Sequence, residues 1–298
     1  MHIRYGYEID VLCDGPVPAI LMLDIHPDRR GDISQPDVLT VTSLADGTLC
    51  ETEVYLDGYS NICRRVTVPA GGARLAAEGC IYDAGFPDPV VREARVLPPD
   101  ALPADTLGFL LGSRYCETDR LMGIAWEMFG AVRPGWDQVQ AVCDFVNGHI
   151  AFDYLRARHT RTAAEAYDER VGVCRDYAHL AIALCRCLNI PARYCTGYLG
   201  DIGVPADPNP MDFSAWFEVY LDDRWFAFDA RHNRPRIGRI PLARGRDAAD
   251  VPFISSFGPH TLARFTVITE EVPGLRFPQT AEDRREHWKV IGQIRDAG

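Results

Sequence analysis

The sequence predicts an α+β fold, with an N-terminal antiparallel β domain followed by a core of mixed helices and strands. Three observations carry that prediction. From residue 1 to about 95, short apolar runs are broken by turn residues such as Asp14-Gly15-Pro16, Asp46-Gly47 and Asp57-Gly58. Leu97 to Pro103 then contains Pro98, Pro99 and Pro103, which fix φ and remove backbone donors, and so suit a linker. Beyond Thr118 the apolar spacing changes to a helical period. The divisions expected are a β domain over 1–95, a linker over 96–105, a core over 106–275 and a C-terminal tail over 276–298.

In the first part the expected strands are Tyr5–Leu12, Ala19–Asp24, Val38–Thr42, Glu51–Leu56 and Arg64–Val68. In the second, Thr118-Asp119 offers an N-cap for a helix over about Arg120–Phe129, and Pro134-Gly135 separates it from another over Asp137–Asn147. A third helix begins near Cys174 and runs through Asp176, Leu180, Leu184 and Leu188, until Asn189 and Pro191 end it. Strands follow at Arg193–Tyr198, Phe213–Leu221, Trp225–Asp229 and Arg264–Thr269. The charged stretch from Gln279 to Gly298 reads as a surface helix or a loose tail.

The 298 residues carry 31 basic and 42 acidic side chains, a formal charge of −11. Lys289 is the sole lysine and the arginines form no stripe that could neutralise phosphates, so neither nucleic acid nor an anionic membrane is an expected partner. The best apolar stretch near the N-terminus, Val17 to Leu23, is too short to span a bilayer or serve as a signal core, and a cytoplasmic location is expected. Ten scattered cysteines in a chain of this size read as free thiols. Cys185-x-Cys187 with Cys195 offers no converging ligand pair, so no metal is expected, and no organic cofactor either.

Gly172-Val173-Cys174-Arg175-Asp176 places a cysteine at the start of a buried helix, directly after a glycine that permits close backbone approach. The unpaired N–H groups and dipole of a helix N-terminus favour thiolate, and an N–H beside the sulfur can donate to an oxyanion. On spacing alone, a buried core thiol like Cys185 or Cys187 is the plainer reading.

The same segment, followed by Leu180-Ala181, Asn189-Ile190-Pro191-Ala192-Arg193-Tyr194 and Gly197-Tyr198, resembles the nucleophile region of bacterial transglutaminase-like proteins, a superfamily sharing the papain-type cysteine core. Ser214-Ala215-Trp216-Phe217-Glu218-Val219-Tyr220-Leu221, with Trp225 and Phe228-Asp229, is similar to that family's second block, where a histidine strand and an aspartate strand lie side by side. Asp57-Gly58-Tyr59-Ser60-Asn61 resembles part of its non-catalytic β domain. The resemblance implies a papain/transglutaminase-like core in which a nucleophile helix packs on an antiparallel sheet. It also implies a reaction in which cysteine attacks an amide carbonyl, histidine moves the proton and aspartate orients the imidazole. Cys174 and Asp229 match those roles. The histidine position holds Ser214, whose hydroxyl cannot act as a base near pH 7.

The hairpin geometry bears on whether another histidine can substitute. With Asp222-Asp223 as a two-residue turn, Ser214 faces Arg231 and Asp229 shares the face of Ser214. His232 then reaches the site only if the chain bends out of the sheet near Asn233 and Pro235. A three-residue loop instead sets His232 opposite Ser214 and turns Asp229 away. His232 is therefore the candidate substitute base, beside the plainer reading of a ring bonded to local backbone. His179 lies about 140° round the helix from Cys174 and should not reach the sulfur; His149 and His159 read as surface or structural residues. Trp216, Arg175 and Asp176 are candidate cleft residues, although core packing, ion pairing and the helix dipole explain them as simply. Asp207-Pro208-Asn209-Pro210 is placed to edge a cleft, and the arginines of 234–239 and 244–246 read as a carboxylate-binding rim or, more plainly, as partners of acidic neighbours.

The function expected is a transglutaminase-like cysteine hydrolase, a peptidase or amidase acting on peptide or isopeptide amides through a Cys174 acyl-enzyme, with His232 or a water held by Ser214 as base. The rival is a module that binds a peptide or protein without cleaving it, because the triad histidine is replaced. A redox role for Cys174 is disfavoured by the absence of a nearby C-x-x-C. The oligomeric state is open.

Overall fold

A computed structural model of the chain describes residues 1–35 and 38–272; the tail expected over 276–298 lies outside the described residues. The first part contains β1 (His2–Leu12), β2 (Val17–Leu21), β3 (Ile33–Gln35), β4 (Thr40–Ser43), β5 (Glu53–Leu56), β6 (Ile62–Val68) and β7 (Ala73–Tyr82). Next come α1 (Thr118–Phe129), α2 (Trp136–His149), β8 (Ala151–Phe152), α3 (Ala163–Glu169), β9 (Val171–Gly172) and α4 (Cys174–Cys187). The remainder is β10 (Ala192–Tyr198), β11 (Ser214–Leu221), β12 (Arg224–Phe228), β13 (Ile240–Gly245), β14 (Ile254–Ser256) and β15 (Thr261–Glu271). The fold is α+β, as the sequence predicts.

Alternation explains the β region. Ile3, Tyr5, Ile9 and Val11 of β1 are buried at every second position, which is what one face of a half-buried strand requires. One sheet runs β15-β1-β7-β3 with β4 also on β7, and a second runs β14-β2-β6-β5. The strand β15, within the span expected as core, thus pairs along β1. The strand β7 is absent from the sequence-based expectations because Ala73-Arg74-Leu75-Ala76-Ala77-Glu78-Gly79 is poor in β-branched and aromatic residues; its partners on both sides supply what propensity does not.

In the core, the antiparallel sheet β12-β11-β10-β13 carries α4 on one face. Ala215, Phe217, Val219 and Leu221 of β11 share a cluster with Leu180, Ala181 and Leu184 of α4 and with Val139 and Val142 of α2. The alternate residues Ser214, Trp216 and Glu218 point away from α4. Near β13 the sheet also meets the N-terminal region, where Tyr198, Ile240 and Leu242 join a cluster with Ile3, Tyr5 and Leu75. Gly197 makes the β10–β13 approach feasible, since a Cβ there would sit 2.1 Å from the Ile240 carbonyl oxygen. Apart from short 3-10 turns, residues 83–117 lack regular structure, and this strap is seated on the core: Ala94 and Arg95 carbonyls accept from Trp136 and Asp222 N–H at 3.0 and 3.1 Å.

Candidate active site

Two chain segments approach one end of the β10–β13 sheet, close enough for Arg231 and Asp229 of one to act electrostatically on Cys174 of the other, although Cys174 is not in the lining of the cavity that Ser214 and His232 share. Each is fixed by different chemistry. The first is the start of α4. Asp176, at the third helical position, accepts the Val173 N–H at 2.9 Å while its own N–H donates to the Val173 carbonyl at 2.8 Å, a reciprocal cap that stops the helix at Cys174. Gly172 is required here, because a Cβ would lie 2.6 Å from the Asp176 Cβ. The Asp176 carboxylate also receives Arg161 Nη1 at 3.0 Å, and Arg161 is itself buried against Glu169 and the Arg156 carbonyl. Asp176 is therefore a fully buried anchor beneath the helix start, which corrects the cleft role expected of it.

Cys174 is the first residue of α4, with its sulfur enclosed although the residue keeps partial exposure. Burial pushes the thiol up; the Arg231 guanidinium and a hydrogen bond from the Ala215 N–H act against burial, while the Asp212 and Asp229 carboxylates add to it. The net direction is upward, so the resting group is a thiol. The helix terminus alone does not reverse desolvation.

The second segment is the turn after β12. Leu221 pairs with Arg224 and Phe217 with Phe228, so the hairpin has the two-residue turn, with Asp222 and Asp223 at φ 43° and 64°. Positive φ at both central positions matches strand twist, and aspartate tolerates it. The strand ends at Phe228 and the chain then coils: the Asn233 N–H donates to the Asp229 carbonyl at 2.7 Å. This bend brings His232 back over Asp229. Asp229 Oδ1 accepts the His232 N–H at 3.0 Å and Oδ2 lies 2.9 Å from His232 Nδ1. Burial pushes the Asp229 carboxyl up, but the hydrogen bonds from His232 and the charge of Arg239 outweigh it and hold the group well below the usual carboxylate range. An ionised carboxylate can only accept, so Nδ1 carries a proton and donates it to Asp229.

The polar face of α2 secures this turn. Asn147 Nδ2 donates to the Ala230 and Arg231 carbonyls at 3.0 and 2.7 Å, and Asn233 is held by Gln140 and Asp144, each at 2.8 Å. Ser214, Arg231 and His232 line a cavity of about 90 Å³ together with Tyr154, Asp207 and Asp212. The Asp207–Pro210 loop does edge it. The Arg231 guanidinium lies 3.9 Å from the centre of the Phe152 ring.

The remaining expected residues lie elsewhere. Trp216 is buried and faces a different cavity, with the Arg239 guanidinium 5.1 Å from its ring, so it does not wall the Ser214–His232 cavity. Arg175 donates to the Arg158 carbonyl and approaches Asp176 at 3.4 Å, also outside that cavity. His179 is buried, accepts the Ala248 N–H at Nε2 (3.1 Å) and stacks on Tyr115; His149 bonds the Tyr167 carbonyl at 2.7 Å between aromatic rings. Arg236, Arg239, Arg244 and Arg246 pair with acidic neighbours as expected. Arg239 was not singled out as a site residue, yet its Nη2 donates to Asp229 Oδ2 at 3.1 Å. Among the described residues no group of three metal-ligating side chains converges, and no helix is long and apolar enough to cross a membrane.

Residues 124–230 match the model of the transglutaminase-like superfamily. A crystal structure described as "a putative cysteine protease from Cytophaga hutchinsonii" superposes with a TM-score of 0.78 at 27% identity, covering 95% of this chain and 94% of that one. Residues 124–230 thus carry a core of the transglutaminase-like superfamily. Curated relatives are uncharacterized proteins of Mycobacterium tuberculosis and Mycobacterium bovis, each 35% identical over 92 residues, 28% of this chain. The chain spans 29% of the length of those relatives. The matched superfamily core runs from within α1 to just past Asp229, and so contains Cys174, Ser214 and Asp229 but ends before His232.

Proposed function

We propose that the protein is a thiol hydrolase of peptide or isopeptide amides, with Cys174 as nucleophile, His232 as base and Asp229 as the carboxylate that orients it. The observation that carries the reading is the 2.9 Å contact between Asp229 Oδ2 and His232 Nδ1 at the cavity that Ser214 lines. The imidazole that the family supplies from the β11 position is here offered from the turn after β12. Its Nε2 lone pair is free to take the Cys174 proton as sulfur attacks the carbonyl carbon, and to return it to the leaving amine as the acyl-enzyme forms. Water then attacks the thioester by the same base, releasing the acid and the thiol. The Cys174 backbone N–H, at a helix start, supplies an oxyanion donor. No cofactor enters this scheme. Free thiols throughout the described residues fit the cytoplasmic location proposed with it.

Peptide binding without turnover is the second reading, and the burial that pushes the Cys174 thiol up favours it. Hydrolysis of a peptide-amide library by the protein, Cys174→Ala and His232→Asn separates the two. Turnover lost in both variants supports the hydrolase; turnover unchanged in Cys174→Ala removes the nucleophile; binding without turnover in all three selects the second reading.

A further inference from the structure

On the face of the sheet away from α4, the strap around residues 83–89 roofs a second cavity of about 240 Å³. Its lining includes Trp216, Glu218, Arg236, Arg239 and Arg244. The carboxylates there are already engaged. Asp88 accepts Arg239 Nε at 2.9 Å and the Arg236 N–H at 2.9 Å, Glu218 accepts Arg193 Nε at 2.7 Å and lies 3.3 Å from Arg244, and Asp83 accepts the Gly85 N–H at 2.8 Å beside Arg29. What is left over are donors. Trp216 Nε1, Arg236 Nε and Arg239 Nη1 have no hydrogen-bond partner among the described residues, and their residues are only 2%, 3% and 8% exposed.

Buried donors of this kind are normally matched by acceptors, and unpartnered guanidinium and indole N–H groups on three residues that line one cavity ask for negatively charged oxygen. We propose that this cavity is a binding site for a small anion, a carboxylate or an inorganic oxyanion, held by Trp216 Nε1, Arg236 Nε and Arg239 Nη1. The lining arginines also pair with Asp32, Asp201, Asp229 and Asp28 outside the lining, so the unpartnered N–H donors, not a surplus of charge, carry the proposal. The Trp216 ring beside the Arg239 guanidinium gives one flat wall. The site is also connected to the front cavity. Arg236 lines both cavities, and Arg239 reaches Asp229 through Nη2 while Nη1 remains for the anion. An occupant would offset the Arg239 charge and leave more of the Asp229 oxygen to His232.

The test is calorimetric titration of the full chain with inorganic phosphate and, separately, with acetate, repeated on Trp216→Phe and Arg239→Lys. Trp216→Phe keeps an aromatic ring but removes the N–H with the pyrrole part of the indole, and Arg239→Lys keeps the charge and removes the fork, so thermal melts check that each variant folds. The expected result is saturable one-site binding of at least one anion, weakened about tenfold in each folded variant, the loss associated with one charge-assisted hydrogen bond. Phosphate alone binding marks an oxyanion site, and acetate alone a carboxylate site. No saturable binding of either anion, or equal binding by the parent and a folded variant, which would mean an adventitious ion only, overturns the proposal.

Discussion

The two segments at the candidate site are held in opposite ways. The start of α4 is fixed by a buried carboxylate on which donors converge: Arg161 and the Val173 N–H both donate to Asp176, and Gly172 leaves room for it. The turn over Asp229–Asn233 is held from outside by α2, and its imidazole depends on one carboxylate that Arg239 shares. The proposed nucleophile is thus set by local fold stability, whereas the proposed base is set by competition for one oxygen. Changes near the sulfur should cost folding first, and changes near the imidazole should cost chemistry first.

The largest effect expected is at Asp176. Asp176→Ala takes one of two carboxylates from the buried Arg161 guanidinium, leaving Glu169, and leaves the Val173 N–H without an acceptor; breaking a buried pair typically costs about 3–5 kcal/mol, and the lower end is expected here. Urea unfolding of the two proteins measures it; a loss below about 1 kcal/mol would show that the helix start is held by packing instead. His232→Asn lies on the other side of the comparison. We predict little change in the unfolding midpoint and a fall of about 100- to 1,000-fold in kcat/KM on a hydrolysed peptide amide. Equal losses in stability and rate would erase the distinction between the two segments.

Acid probes the comparison through histidines that the fold keeps neutral. Burial lowers His26 to about 4, helped by the Arg244 charge, and burial holds His179 on α4 well below its ordinary value. The unfolded chain takes up protons below about 6.5 that the folded chain refuses, so stability is complete above that pH and declines as pH falls toward about 4. A loss on the order of 2 kcal/mol is expected across that window from His26, and His26→Gln should flatten it. A midpoint independent of pH between 7 and 5 would contradict the assignment.

Legibility followed the range of the determining interactions. The start of α4 at Cys174 is legible because helix starts are written in adjacent residues, whereas the roles of Cys174 and Asp229 rest on family resemblance and the hairpin register is open between a two- and a three-residue loop until the Leu221–Arg224 pairing decides it. The α3 helix carries a readable signal too, since Thr162 and Glu165 form a capping box three residues apart. The anchoring of Asp176 by Arg161 and the clamping of the 230–233 turn by Asn147 were not readable, because they join residues 15 and more than 80 positions apart. The placement of His232 fell between: strand alternation puts it on the wrong face, and only the coil after Phe228 reverses that. Trp216 was misplaced for a related reason, since alternation gives its face but not the strap that closes a separate cavity over it.

The smallest effect should come from restoring the family residue. Ser214→His returns an imidazole to the β11 position, diagonal to Asp229 on the same face. In the parent protein Asp229 Oδ2 already receives His232 Nδ1 and Arg239 Nη2, so the new ring has no carboxylate to fix its tautomer. Hydrolysis should therefore change by less than about threefold. In the His232→Asn background the same substitution finds Asp229 partly released, and should recover about tenfold of the lost rate. The pair of measurements forms a cycle whose coupling reports whether one carboxylate serves either imidazole but not both. Equal effects of Ser214→His in the two backgrounds would mean that the two positions do not share Asp229.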